Sequence, residues 1–303
     1  MARRFRVKRA KSASIQHRKR HTNKQTAPDK PTDGANPTAS KLDTTAPGTA
    51  PKRTVSQYDD PSHDYLHYWQ GREYENAAEK VAIERLLKGK RFKHAVDIGG
   101  GYGRLCVLLE DYADRVTLAE PSQQQLDIAK DFLRGHPRTD CKRMQVEDLK
   151  FPDGSVDSIV MIRVMHHLPE PETPFAELAR TLSDDGYIIL EMANYTHFRN
   201  RLKHLLKGKK MPDEPVDIRS SDHRKVDNVP FVNHNPRTVI KQLSHAGLLV
   251  ENTLSVSNLR SSGLKKVMPS SLMIALERFL QAPLASTYFG PSIFFLIRKA
   301  SSN

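Results

Sequence analysis

Apolar positions along this chain change their spacing repeatedly, and polar or glycine-rich punctuation separates the segments. They are sparse up to residue 56. Residues 77–88 then carry them at helical intervals, and residues 95–98 form a short run read as a buried strand. A glycine cluster at 99–103 ends that run as a turn, and Leu105, Leu108 and Leu109 open the next helix. Residues 116–119 make a second strand tipped by Glu120. Pro121-Ser122-Gln123 starts a helix through Leu126, Ala129 and Leu133, with Ser122 as its cap. Residues 144–146 are predicted to end the third strand, 157–162 to form the fourth and 187–192 the fifth. A helix at 171–182 and a turn at 183–186 lie between the last two. A helix at 236–246, an extended run at 248–256, a helix at 270–280 and a strand at 292–298 complete the pattern, with Pro236 in a first helical turn.

The stretch with most chemistry in it is Val96-Asp97-Ile98-Gly99-Gly100-Gly101-Tyr102-Gly103-Arg104. Glycines in such a turn permit positive φ and let a ligand approach the main chain. The amides opening the following helix can donate to an anionic or polar group. Alone, the turn also suits a dinucleotide, a phosphate or a plain structural bend. It lacks the third glycine of the dinucleotide fingerprint and the Lys-Ser/Thr of a phosphate loop. Glu120 sharpens the reading: it stands 21 positions after Gly99, at the tip of the neighbouring strand, where a doubly wound sheet holds a ribose by its hydroxyls.

With these residues the chain resembles the class I S-adenosylmethionine-dependent methyltransferases, and within them the group that includes the ubiquinone and menaquinone C-methyltransferases. The first motif is carried by residues 96–103, the ribose acid by Glu120, the adenine stretch by residues 145–157, and the segment after the fourth strand by Val164-Met165-His166-His167-Leu168. The likeness covers about residues 65–195 well and the remainder more loosely. It implies an α/β fold: a doubly wound, seven-stranded, mostly parallel Rossmann-like sheet, closed by an antiparallel strand pair. It implies S-adenosyl-L-methionine as cofactor, held by Asp97, Gly99, Gly100, Gly101, Glu120, Gln145, Val146, Ile162 and Arg163. Gln145 stands where the family usually has Asp to accept from the adenine amino group. Arg72, in the aromatic segment with Tyr65, Tyr68, Trp69 and Tyr74, is the candidate partner of the methionine carboxylate, since a guanidinium holds a carboxylate bidentately; a surface Arg beside a packing Trp is the plainer reading.

Composition changes the picture at one end only. The formal charge is +13, but residues 1–56 hold 14 Lys and Arg against three acids, leaving 34 cations against 32 acids elsewhere. Residues 1–56 are therefore expected to be a disordered basic tail preceding one domain over 57–303, with an insertion around 196–229. The tail suits nonspecific contact with RNA or an anionic surface, a solubilising extension, or a transit segment. No run of about 18 apolar residues occurs, so no transmembrane segment is expected. The lone pair Cys106 and Cys141 suggests neither a disulfide framework nor a zinc site, and a cytoplasmic location is expected.

His166 and His167 are the weak catalytic candidates, needed only if the accepting atom must lose a proton. Tyr195 and His197 stand within reach of the same edge. There is no Pro-Pro-aromatic motif after the fourth strand and no Pro-Cys nucleophile, which disfavours nucleobase methylation. The leading expectation is methyl transfer to a small-molecule or lipid-like acceptor. The alternatives are an RNA- or ribosome-associated methyltransferase using the tail, and a non-catalytic basic nucleic-acid-binding protein.

Overall fold

The computed structural model describes residues 69–226 and 229–300; the expected tail at 1–56, with Tyr65 and Tyr68, lies outside them. In chain order the elements are α1 (Glu73–Leu87), β1 (Phe92–Ile98), α2 (Cys106–Leu109), β2 (Ala113–Glu120), α3 (Gln123–Phe132), β3 (Thr139–Arg143) and β4 (Val156–Met161). After β4 come α4 (Glu172–Thr181), β5 (Leu182–Ala193), α5 (Phe198–Leu206), β6 (Val216–Asp217), α6 (Ser221–Val226) and β7 (Val232–Asn233). The chain ends with α7 (Pro236–His245), β8 (Leu248–Val256), α8 (Ser262–Val267), α9 (Ser270–Leu280) and β9 (Ser292–Lys299).

Seven strands form one sheet in the order β3-β2-β1-β4-β5-β9-β8. The first five are parallel, and β9 runs antiparallel to both β5 and β8. From β1 the chain steps outward to β2 and β3, then returns to the other side of β1 as β4. The crevice at the carboxyl ends of β1 and β4 is therefore the topological switch point, where such sheets bind ligands.

Helices cover both faces, which is why the central strands read as continuous apolar runs. Val160 and Ile162 pack with α1, α2, α3 and Met273 of α9. Ile159 and Met161 point the other way, toward Phe175 and Leu178 of α4 and Val239 and Leu243 of α7. Ser122 caps α3 as expected, accepting from the Gln125 amide at 3.2 Å, and Asn235 caps α7 ahead of Pro236.

Two expected boundaries are corrected. The third strand ends at Arg143, not in 144–146. Met144 and Val146 are apolar because they pack beyond the strand against Leu149 and Phe151, whereas the marginal strand itself is polar. The turn expected at 183–186 lies inside β5. Register passes from Val156↔Leu182 to Ser158↔Tyr187, so those polar residues make a bulge rather than a reversal. A second register shift, between Val250 and Asn252, marks β8.

A buried clamp ties the two ends of the domain together. Tyr74 of α1 donates its hydroxyl to Glu277 of α9 at 2.6 Å. The same carboxylate accepts the Ser257 and Asn258 amides at 2.8 and 3.0 Å, fixing the turn after β8, where Ser257 has φ +62°. Among the described residues no helix is long and apolar enough to cross a membrane.

Candidate active site

The turn after β1 is built around two carboxylates. Gly101 adopts φ +60°, a left-handed conformation costly for residues with a Cβ, and this aims its amide at Glu120 Oε2, 2.9 Å away. The other carboxylate oxygen, Oε1, accepts the Ser122 amide at 2.9 Å. Glu120 thus spans the glycine turn and the start of α3 from the tip of the adjacent strand. A Cβ on Gly100 would lie 2.3 Å from Asp97 Oδ2 and 2.7 Å from Leu118 Cδ1, so the chain passes directly over the Asp97 carboxyl. One on Gly99 would strike Val164 Cγ2 at 2.4 Å, which shows how closely the turn abuts the segment after β4.

Asp97 is 1% exposed. Its Oδ2 accepts from the Cys106 thiol at 3.6 Å, while Oδ1 has no hydrogen-bond partner among the described residues. Burial pushes its pKa up to about 7 from 3.8, opposed by Arg104 and the thiol and aided by Glu120. A raised folded pKa means that the native state holds a proton the unfolded chain has released. Stability should therefore fall as pH rises from about 4 to about 7, by at most about 4 kcal/mol. Asp97→Asn is expected to abolish this component. In urea unfolding, the wild-type stability minus that of the variant should decrease across the window; a constant difference would show that the carboxyl does not titrate there.

A second constellation lies where β4 ends. Arg163 has φ +61°, and its amide donates to Glu191 Oε2 of β5 at 2.9 Å. Ser292 of β9 donates its hydroxyl to the other oxygen of Glu191 at 2.6 Å. Burial raises the Glu191 pKa, with Arg163 opposing. The Arg163 side chain turns to Glu79 of α1 at 2.6 Å, and Arg104 of the glycine turn reaches the other Glu79 oxygen at 2.7 Å. Arg104 also donates to Asn76. Both guanidinium groups lie over the Trp69 ring, 3.9 and 4.8 Å from its centroid. Trp69, Glu79, Arg104 and Arg163 thus form one buried bracket joining α1, the turn and β4.

His166 and His167 occupy a 3-10 turn, Met165–His167. His166 packs against His167 and Phe231, with centroids 4.0 and 4.3 Å away. Burial, then His167 and Arg163, hold its pKa well below 6.5, so it is neutral at physiological pH. His167 Nδ1 lies 3.0 Å from the Pro230 carbonyl oxygen. A carbonyl only accepts, so Nδ1 carries the proton and, in the neutral ring, the lone pair is on Nε2. His234 similarly donates from Nε2 to the Met165 carbonyl at 2.9 Å.

The expected residues fall into distinct places. Asp97, Gly99, Gly100, Gly101 and Glu120 are drawn together by the contacts above, and Arg163 reaches Arg104 of the same turn through Glu79. Ile162 is buried beside them in the chain. Val146 is buried and Gln145 exposed. Gln145 borders a cleft of about 300 Å³ with Pro121, Met144 and Asp148, just beyond Glu120. Arg72 is the first residue before α1, its amide bonded to the Trp69 carbonyl at 3.0 Å; over the Trp69 ring lie Arg104 and Arg163. Glu79 and Glu191 escaped the sequence reading, since an acid on a helix or inside a strand has no spacing signal. Phe231 and Pro230, far along the chain, gave none either. Among the described residues no group of three or more His, Cys, Asp or Glu is placed to hold a metal ion.

Comparison with known proteins agrees with this geometry. Residues 96–190 match the family described as "Methyltransferase domain". The ubiquinone/menaquinone biosynthesis C-methyltransferase UbiE of Rubrivivax gelatinosus is 28% identical over 115 residues, covering 38% of this chain and 45% of that protein. An uncharacterised methyltransferase of Mycobacteroides abscessus is 30% identical over 147 residues, 47% of this chain and 51% of its own length. The chain therefore spans about half the length of the curated relatives it matches. In fold alone it resembles a chain from the Haloferax volcanii complex of the Trm112 methyltransferase activator with a methyltransferase, at TM-score 0.55 and 15% identity, over 82% of this chain and 100% of that one. Residues 96–190 thus match a methyltransferase domain, within a chain that has the seven-stranded Rossmann-like methyltransferase fold.

Proposed function

We propose that the protein transfers a methyl group from S-adenosylmethionine to a small-molecule or lipid-like acceptor. The observation that carries this reading is the pairing of the left-handed Gly101 amide with Glu120, beside a buried Asp97 with one unpartnered oxygen. A purely structural turn needs neither an acid on the neighbouring strand nor an orphaned carboxylate oxygen beneath it. The residues fit the cofactor chemically. Asp97 and the glycine turn would take the methionine end, Glu120 the ribose hydroxyls, and Gln145 with the Val146 amide the adenine edge. Ile162 and Arg163 would close the side toward β4, and Arg72 would meet the carboxylate.

When bound, the cofactor supplies an activated methyl carbon, so the protein's task is to orient the acceptor and exclude water. Neutral His166 and Phe231, with His167 beside them, would give the adjoining wall an aromatic lining suited to a flat or apolar acceptor. Where the accepting atom carries a proton, His166 or His167 would be the group to take it.

Thermal unfolding with S-adenosylhomocysteine tests the cofactor half. At a hundredfold excess over Kd, stabilisation of about 2.7 kcal/mol is expected, and no change in Tm would overturn the reading. Incubating an extract with methyl-labelled cofactor tests the acceptor half. Label is expected in the solvent-extractable small-molecule and lipid fraction, and label confined to RNA would reassign the acceptor.

A further inference from the structure

We infer that α5 is an interfacial docking helix for an anionic lipid bilayer. An ordinary surface helix buries its apolar stripe and turns its polar side to water. The arrangement in α5 is the reverse. Asn200 donates to the Tyr195 carbonyl at 2.8 Å. His204 lies against the Tyr195 ring, 3.3 Å from its hydroxyl. These polar residues face the protein. Leu202, Leu205 and Leu206, at the spacing of one helical ridge, face away and are 44%, 76% and 79% exposed. No residue of the helix is buried.

Charge supplies the identity of the occupant. Residues 196–210 hold six cations (Arg199, Arg201, Lys203, Lys207, Lys209 and Lys210) and no acid. A ridge of aliphatic side chains flanked by cations is complementary to a surface with hydrocarbon beneath anionic headgroups. Nucleic acid would be gripped by stacking rings instead. Both rings on this helix are engaged by the protein itself: Phe198 is stacked on Phe289 at 5.1 Å, and His204 lies against Tyr195.

The helix is also firmly placed. The Phe198 amide donates to the Phe289 carbonyl at 3.0 Å, and Asn194, just after β5, bridges to His234, which in turn bonds the Met165 carbonyl beside the histidine pair. The docking ridge thus starts from the same carboxyl edge of the sheet as the candidate site, so a bound bilayer would lie near the acceptor side. The inference rests on α5 and does not require methyl transfer.

The test is co-sedimentation of the full chain with vesicles of phosphatidylcholine alone or mixed with phosphatidylglycerol. Wild type should bind the mixed vesicles and release with salt. Leu205→Ser/Leu206→Ser should bind about tenfold more weakly at the same ionic strength, with its Tm unchanged. Leu205→Ile/Leu206→Ile should bind as wild type. Equal wild-type binding to both vesicles, or none to either, overturns the inference. So does full retention by the serine variant, which assigns adhesion to other cations of the chain. An equal loss of RNA affinity and vesicle affinity in that variant would make the surface a nucleic-acid site instead.

Discussion

Valine at position 101 is expected to abolish S-adenosylhomocysteine binding, an affinity loss of at least about a hundredfold by calorimetry, in a protein that remains folded. Gly101 sits at φ +60°, where a β-branched residue is strained by about 1–3 kcal/mol. Relief of that strain would rotate the peptide away from Glu120, dismantling the 2.9 Å contact between turn and acid. A hundredfold corresponds to about 2.7 kcal/mol, well within what strain and the lost contact together supply. Glu120→Ala should do comparable damage by a different route, removing the acceptor shared by the Gly101 and Ser122 amides. Gly101→Asn, which tolerates left-handed backbone, should keep measurable affinity. Unchanged affinity in both Gly101→Val and Glu120→Ala would remove the basis for placing the cofactor here.

Loss of the Glu79 carboxylate is expected to cost stability rather than only affinity. Glu79 is 3% exposed and neutralises Arg104 and Arg163, whose side chains are 11% and 22% exposed. Glu79→Ala removes the carboxylate shared by two largely buried guanidinium groups, and removing one partner of a buried ion pair typically costs about 3–5 kcal/mol. Trp69 loses part of the support that positions its two stacked cations. Glu79→Gln, which can accept one hydrogen bond but carries no charge, should fall between the variant and wild type. Urea unfolding reads the effect directly. A change below about 0.5 kcal/mol in Glu79→Ala would mean that the arginines find other partners and that the bracket does not hold α1 to the turn.

How much of this was legible beforehand depends on whether a residue's role is local. The end of β1, the glycine turn, Glu120 and the Ser122 cap are each written within a few positions, so the pattern of apolar run, acid and glycine exposes them. The switch-point fold followed from the family resemblance carried by those motifs. The bracket was not legible, because Trp69 and Arg163 meet only after α1 has packed against the sheet. The Tyr74–Glu277 clamp joins residues 203 positions apart and has no local signature. Strand β3 was misplaced because its polar residues suit a margin, while the more apolar Met144 and Val146 beside it serve the core instead. Residues 196–229 were expected as an insertion, but apolar spacing within it does not say which side of α5 faces outward, and burial reverses the ordinary assumption.

The two marginal strands bear on how copies of this protein can meet. On one flank β3 presents Asp140, Lys142 and Arg143; on the other, β8 breaks register at Glu251. A stranger's strand zipping onto either flank would have to strip water from charges or match an interrupted ladder, both of which disfavour such pairing. The sheet is thereby guarded against growth by addition, so fibrous stacking is discouraged even when the protein is concentrated.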